Sequence, residues 1–350
     1  MNFASDNTAA IAPEILKALA SANDGFALGY GSDAHTKTVQ RLFAEAFERD
    51  VAVYLVATGT AANAIALAHV SPPWGAVLCH REAHVITDEC GAPEFFGGGL
   101  RLFGLPGEAC KIAPATLQKA LDDELWGGPH HLSPSTLSLT QATEAGTIYR
   151  PDEIAALAAH AHARGMAVHM DGARFANALV RLGGTPAEMT WKSGIDVLSL
   201  GITKAGAMAA EAIVFFDPAR AAGMAERRKR GGHLVSKHRF LAAQFAAFFA
   251  KDYWRTLARH ANSLADRLAI GLAAGGRKPV WPVEANIVFV ILPKDRVAKL
   301  KDAGASFYVR RSLSLPAGTE IGADDALLRL VTSFSTTEQE VDRFLALACR

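Results

Sequence analysis

Lys204 is the residue of this sequence best placed for covalent chemistry. It closes the run Val197-Leu198-Ser199-Leu200-Gly201-Ile202-Thr203-Lys204, with Ala205-Gly206 after it. An amine directly after an apolar strand sits at a sheet edge rather than on a solvated face. Partial burial disfavours a charged ammonium, and a neutral amine is the form that makes a Schiff base. A lysine in an ordinary loop is the plainer alternative. A second apolar run ends in an acid: Val168-His169-Met170-Asp171-Gly172-Ala173-Arg174. Ligand sites in open α/β sheets lie beyond the carboxyl ends of strands, where Asp171 projects. The plainer reading is a helix N-cap at Asp171 with a local ion pair to Arg174. A third segment, Thr58-Gly59-Thr60-Ala61-Ala62-Asn63, lies between a strand and a helix. Its small residues let backbone N–H groups at a helix N-terminus approach an anion, and Thr60 adds a hydroxyl.

Together these segments provide an anion cradle, a strand-end carboxylate and a strand-end amine. Pyridoxal phosphate requires that set: a phosphate site, a partner for the pyridinium nitrogen and a Schiff-base lysine.

The elements that must position them follow from periodicity. Short β-rich runs lie at Val51 to Val56, Ala76 to Cys79, Thr136 to Leu139, Ala167 to Met170, Val197 to Leu200 and Ala212 to Phe216. Helical spacing marks Ala10 to Ser21, Thr36 to Phe47, Ala61 to Val70, Pro151 to Arg164 and Phe175 to Leu182. Strands apolar throughout, alternating with helices, indicate a mainly parallel sheet covered on both faces. The interval between Asp171 and Lys204 leaves room for a helix and a strand, so both residues can sit at one sheet end. After about residue 240 the character changes. A helical stretch from His238 to Leu272 is followed by strands at Ile287 to Leu292, Phe307 to Val309 and Leu328 to Val331, with helices near Asp295 to Ala303 and from Thr336 onward. The expected division is a large α/β domain over residues 1–240 and a small α+β domain over residues 241–350.

Five ordered segments resemble one known family. They are Tyr30-Gly31-Ser32-Asp33, Gly59-Thr60-Ala61-Ala62-Asn63, Ala83-His84-Val85, His169-Met170-Asp171-Gly172-Ala173-Arg174 and Thr203-Lys204. The chain resembles the threonine aldolases of the β-eliminating lyase group, fold type I among pyridoxal-phosphate enzymes. The likeness runs from Phe3-Ala4-Ser5-Asp6-Asn7 to Leu328-Arg329-Leu330-Val331-Thr332. It implies an aminotransferase-like α/β fold with a mainly parallel seven-stranded sheet between helices and a smaller C-terminal α+β domain.

It also implies roles. Lys204 would hold pyridoxal 5'-phosphate as a Schiff base, and Asp171 would pair with its ring nitrogen. Arg174 would lie by the phenolic oxygen, and Gly59 and Thr60 would hold the phosphate, with Thr203 among the cofactor contacts. His84 matches a histidine that stacks on the ring and is a candidate base. Ser5 and Arg329 match positions that hold the substrate carboxylate, with Tyr30 nearby. Lys229, in Arg227-Arg228-Lys229-Arg230, resembles a residue that reaches the neighbouring subunit's site. The implied protein is a cytoplasmic homodimer or homotetramer with shared sites. It cleaves L-threonine, L-allo-threonine or related β-hydroxy-α-amino acids to glycine and an aldehyde. An aryl-specific aldolase or another pyridoxal-phosphate lyase is the adjacent reading. One departure bears on specificity: Glu144 stands where many relatives carry a histidine.

Composition limits the alternatives. The chain has 350 residues, half of them apolar and a fifth charged, enough to bury a sizeable core. Its 36 Lys and Arg against 35 Asp and Glu leave a net charge of +1, so no global field draws it to nucleic acid or an anionic membrane. No apolar run approaches the roughly 20 residues of a membrane span, and the first residues carry no signal-peptide pattern. Cys79, Cys90, Cys110 and Cys349 are too scattered for a disulfide framework or zinc cluster. His80 and His84, four apart, invite a metal-hydrolase reading if they share a helix face, but Glu82 is not where the zincin motif has its acid. The basic stretch from Arg227 to Arg239 reads as a solvated helix face or subunit contact rather than a nucleic-acid patch.

Overall fold

Segments that are apolar at nearly every position cannot leave either face in water, so they pair into a sheet covered on both sides. In the computed structural model, which describes residues 1–123, 125–312 and 314–349, seven strands form the main sheet. They are β1 Ala52–Val56, β2 Gly75–His80, β3 Arg101–Leu105, β4 Ser133–Thr140, β5 Ala167–Gly172, β6 Val197–Gly201 and β7 Glu211–Phe215. Their order is β1-β7-β6-β5-β4-β2-β3. The pairings from β6 across to β3 are all parallel, and β7 runs antiparallel to both neighbours. The expected mainly parallel α/β sheet is the one formed.

Parallel neighbours need crossovers, and helices supply them. In helix Gly59–Val70 every residue from Ala61 to Ala68 is buried, as befits a helix with no polar face. Thr58 caps it, its hydroxyl accepting the Ala61 N–H at 3.1 Å. The sheet interior carries one polar clamp. His169 on β5 contacts Ser138 on β4 and Ser199 on β6, each at 2.9 Å, and burial pushes the imidazole down to about 4. Neutral at physiological pH, it ties three strands together.

Two local features differ from the sequence reading. Strand β3 was not expected; it is an edge strand, partly exposed and interrupted by Gly104, so it lacks a continuous apolar run. The stretch from His238 to Leu272 is two helices, Arg239–Phe249 and Tyr253–Ala274. Lys251 and Asp252 between them take φ of 52° and 58°, outside the helical region. Alanine and aromatic residues continue through the break and hide it.

The second sheet has β8 Ile287–Pro293, β9 Tyr308–Arg310 and β10 Asp325–Val331, with β10 central and antiparallel to both others. Helices Tyr253–Ala274, Lys294–Asp302 and Glu338–Ala348 bury an apolar cluster against it, and Phe3 joins that cluster fully buried. Phe3 also donates to the Ser306 carbonyl at 2.8 Å and accepts from the Val331 N–H at 2.9 Å. These bonds fix the start of the chain, so Ser5 and Asp6 are delivered to the cleft between the two sheets.

Candidate active site

A cavity of about 890 Å³ opens at the carboxyl ends of β2, β4, β5 and β6. Asp171 lies within β5, so it is not the N-cap of the next helix, which begins at Phe175. Its buried carboxylate accepts the Ala173 N–H and the Asn63 amide, each at 2.9 Å. Arg174 does not pair with it. The Arg174 guanidinium instead grips Asp6 with two bonds of 2.8 and 3.0 Å, and both side chains are buried. Asp6 takes a third bond from Asn286 at 3.1 Å. Burial opposes its charge, but Arg174 and Lys204 together hold its carboxyl below the usual range.

Lys204 lies in the single turn Thr203–Ala205 that follows β6, half-buried on the cavity wall. Its ammonium has no hydrogen-bond or ion-pair partner among the described residues. Thr203 is fixed beside it, accepting the Ala210 N–H at 3.2 Å. Glu211, the first residue of β7, closes the same corner. Burial pushes its carboxyl up to about 7. Gly201 makes room for it: a Cβ there would stand 2.8 Å from Glu211 Oε2.

His84 begins a short helix after β2, partly exposed to the cavity. Its Nδ1 lies 2.9 Å from Glu89 Oε1, and its backbone N–H donates to Glu144 Oε1 at 2.9 Å. The Glu89 hydrogen bond raises the imidazole above its ordinary value, against the opposing effects of burial and Lys204. Removal from water pushes the Glu144 carboxyl up to about 7. Glu144 is therefore neutral below that pH and charged above it.

Arg329 enters from the other sheet, on central strand β10. Burial pushes its guanidinium down to about 10, still protonated near neutral pH, and Arg174 adds repulsion. Arg329 has no ion-pair partner within 4 Å among the described residues. A largely buried, unpaired guanidinium provides a ready site for a carboxylate.

Ser5, Gly59, Thr60, His84, Glu144, Asp171, Arg174, Thr203, Lys204 and Arg329 all line this one cavity. Tyr30 and Lys229 do not. They lie together on the surface, with Lys229 Nζ 5.0 Å from the Tyr30 ring centroid. Beside them is a second cavity of about 210 Å³, whose lining includes Tyr30, Tyr54, Arg228 and His238. The helix face expected to join His80 and His84 does not form, because His80 ends β2 and His84 starts a new helix. The His80 ring contacts the Gly107 carbonyl and the Glu82 N–H.

Sequence reasoning missed Asp6, Glu89 and Glu211, and gave no role to Asn63. Asn63 and Asp6 lay in segments already named, though neither was given a role. Glu89 and Glu211 are ordinary acids in sequence, marked by burial alone.

Comparison with known proteins decides the family. Residues 2–295 match the family described as Beta-eliminating lyase. The chain belongs to the β-eliminating lyases. This lyase is 44% identical over 308 residues to the low specificity L-threonine aldolase of Pseudomonas aeruginosa, covering 87% of this chain and 88% of that one. It is 40% identical over 346 residues to the low specificity L-threonine aldolase of a Pseudomonas species, covering 98% and 96%. Among solved structures, a threonine aldolase of Leishmania major superposes with a TM-score of 0.91 at 30% identity, covering 99% and 98%. Serine palmitoyltransferase of Sphingomonas wittichii shares the lyase's fold, with a TM-score of 0.73 at 17% identity, covering 99% of this chain and 86% of that one.

The pKa of Glu144 leads to a prediction at this site. Its titration near 7 makes the charge at the cavity wall change with pH, whereas glutamine stays neutral and can still accept the His84 N–H. Glu144→Gln is expected to change the ratio of kcat/KM for threonine to that for a β-aryl serine, with smaller changes in turnover itself. The wild-type ratio should drift between pH 6 and pH 8, and the variant's should stay flat. Parallel assays on both substrates check this.

Proposed function

We propose that this lyase is a pyridoxal-phosphate-dependent aldolase that cleaves L-threonine, L-allo-threonine and related β-hydroxy-α-amino acids to glycine and an aldehyde. The observation that carries the reading is one cavity holding an unpartnered Lys204, the strand-end Asp171 and the unpaired Arg329. The residues present fit the cofactor. Lys204 offers the Schiff-base amine, Asp171 a fixed carboxylate for the ring nitrogen, and Gly59 and Thr60 the free N–H groups of a helix N-terminus for the phosphate. Thr203 and Arg174 would complete the cofactor contacts, Arg174 serving the phenolic oxygen. When bound, pyridoxal phosphate supplies an electron sink for the pair left on Cα as the Cα–Cβ bond breaks.

The chain's own residues do the rest. Arg329, with Ser5 on the same cavity wall, binds the substrate carboxylate and orients the Cα–Cβ bond. His84 takes the β-hydroxyl proton while the bond breaks and the aldehyde leaves, and a proton returned to Cα completes glycine. An imidazole raised by its Glu89 hydrogen bond suits this transfer near neutral pH. The purified protein, given cofactor and threonine, should release glycine and acetaldehyde in equal amounts. Ammonia in place of glycine would overturn the reading in favour of another lyase reaction.

Planar, bidentate recognition makes arginine hard to replace by lysine. Arg329→Lys is therefore expected to raise KM for several amino acids by roughly tenfold, the scale of one charge-assisted hydrogen bond, while cofactor absorbance stays intact. Steady-state kinetics with absorbance spectra check it.

The proposed assembly is a cytoplasmic homodimer or homotetramer in which Lys229 and Tyr30 complete the partner's site. Their distance from the cavity of their own chain supports this, as do exposed Phe26 and Leu28 close by in sequence. Mixed oligomers of Lys204→Ala and Lys229→Ala subunits should regain activity, because one site in each mixed pair is then intact. Verified mixed oligomers with no recovery would count against sharing.

A further inference from the structure

The cavity wall holds a carboxylate that the mechanism above does not use. Glu89 is buried, and its Oε1 meets two groups: His84 Nδ1 at 2.9 Å and Asn63 Nδ2 at 2.9 Å. Asn63 Nδ2 also donates to Asp171 Oδ2 at 2.9 Å. One amide nitrogen thus spends both of its hydrogens on two carboxylates. Its orientation is fixed by that arrangement, since the flipped amide would set its oxygen against both. Asn63 Oδ1 and Glu89 Oε2 are buried without hydrogen-bond partners among the described residues, so the contacts run through Asn63 Nδ2 and Glu89 Oε1.

Burial raises the Glu89 carboxyl, while the bonds from His84 and Asn63 hold it down. As a carboxylate it accepts only, so the hydrogen between Glu89 and the ring sits on His84 Nδ1, which leaves Nε2 as the ring atom free to take a proton. Nε2 has no partner among the described residues. We propose that Glu89 is the positioning residue for His84: it fixes the Nδ1–H tautomer and makes Nε2 the basic atom, while Asn63 holds this pair in register with Asp171. The proposal rests on the assignment of His84 as the base. Histidine and carboxylate here play the parts that a base and its orienting acid play in other active sites.

The other charges near the ring come from several elements. Asp171 on β5 favours its protonation, and Lys204 after β6 opposes it, as does burial. Glu144, after β4, touches only the His84 backbone. Glu89 is the largest influence, and it acts directly on the ring.

Two substitutions separate charge from hydrogen bond. In Glu89→Gln the amide oxygen still accepts from Nδ1–H and from Asn63, so the tautomer persists while the charge is lost. In Glu89→Ala both are lost. The holoenzyme, labelled with ¹⁵N-histidine, is titrated without substrate, with His84→Asn to assign the signal. The Glu89→Gln protein is expected to keep the Nδ1–H tautomer while its His84 pKa falls by about one unit, the scale of a lost charge partner. Glu89→Ala is expected to lose the tautomer preference too. In turnover, the acid limb of kcat/KM for Glu89→Gln should move to lower pH while the plateau falls about tenfold, because a weaker base is neutral over a wider range but takes the proton less readily. Unchanged His84 pKa and tautomer in both variants would overturn the proposal, as would an acid limb that stays in place while the ring pKa moves. If Glu89→Ala loses its cofactor absorbance, Glu89→Gln alone decides. The nuclear magnetic resonance readout needs no turnover, so it tests the dyad even if the aldol reading fails.

Discussion

Lys204→Ala is expected to lower glycine release from threonine by at least about a thousandfold, the scale seen when a covalent catalytic group is removed. No described side chain stands in for it. The carboxylates and cations around the cavity remain in place, so substrate binding through Arg329 should survive. The protein should stay folded, because the Lys204 ammonium makes no bond that holds the structure together. Kinetics at saturating cofactor, set beside a thermal unfolding curve, check both halves. A large loss of turnover with little change in unfolding temperature is the expected pattern.

Asp171→Ala should come next in size, with a loss of about a hundredfold or more, and it should weaken folding as well. The carboxylate would pair with the cofactor's ring nitrogen and keep the electron sink protonated. It also satisfies the Ala173 N–H and one hydrogen of Asn63. Removing it leaves the Ala173 N–H without this partner and one hydrogen of buried Asn63 unsatisfied, the latter at about 1–3 kcal/mol. Asp171→Asn separates the effects: the neutral amide can still accept the Ala173 N–H but lacks the charge. Its unfolding temperature should lie nearer the wild type than the alanine variant's, while turnover stays low. Activity that survives in Asp171→Asn would remove the charge from the mechanism.

Much of this site is legible in sequence for a local reason. Lys204, Asp171 and the Gly59-Thr60 turn each follow an apolar strand within a few residues, and a parallel sheet sends successive strand ends to one side. Strand position therefore locates the side chain without knowledge of its partners. What depends on partners was not legible. Arg174 stands three residues after Asp171 and invites a local pair, but β5 turns that carboxylate toward Asn63 and Ala173. The guanidinium then reaches Asp6, near the start of the chain, held there because Phe3 is pinned to the second sheet. Glu89 follows the same logic. Five residues after His84 and flanked by Asp88, it looks solvated until the fold buries it under Asn63. In the fold itself, strand β3 and the break at Lys251-Asp252 were hidden because edge strands and positive φ leave no regular apolar period.

The proposed chemistry turns on Lys204 as the residue that would carry the cofactor. Its most direct test is borohydride reduction of the protein as purified with pyridoxal phosphate, followed by proteolysis and mass mapping of the modified peptide. The adduct is expected on Lys204, with loss of the cofactor's visible absorbance in proportion to the modified fraction. An adduct on any other lysine, with Lys204 recovered unmodified, would contradict the account.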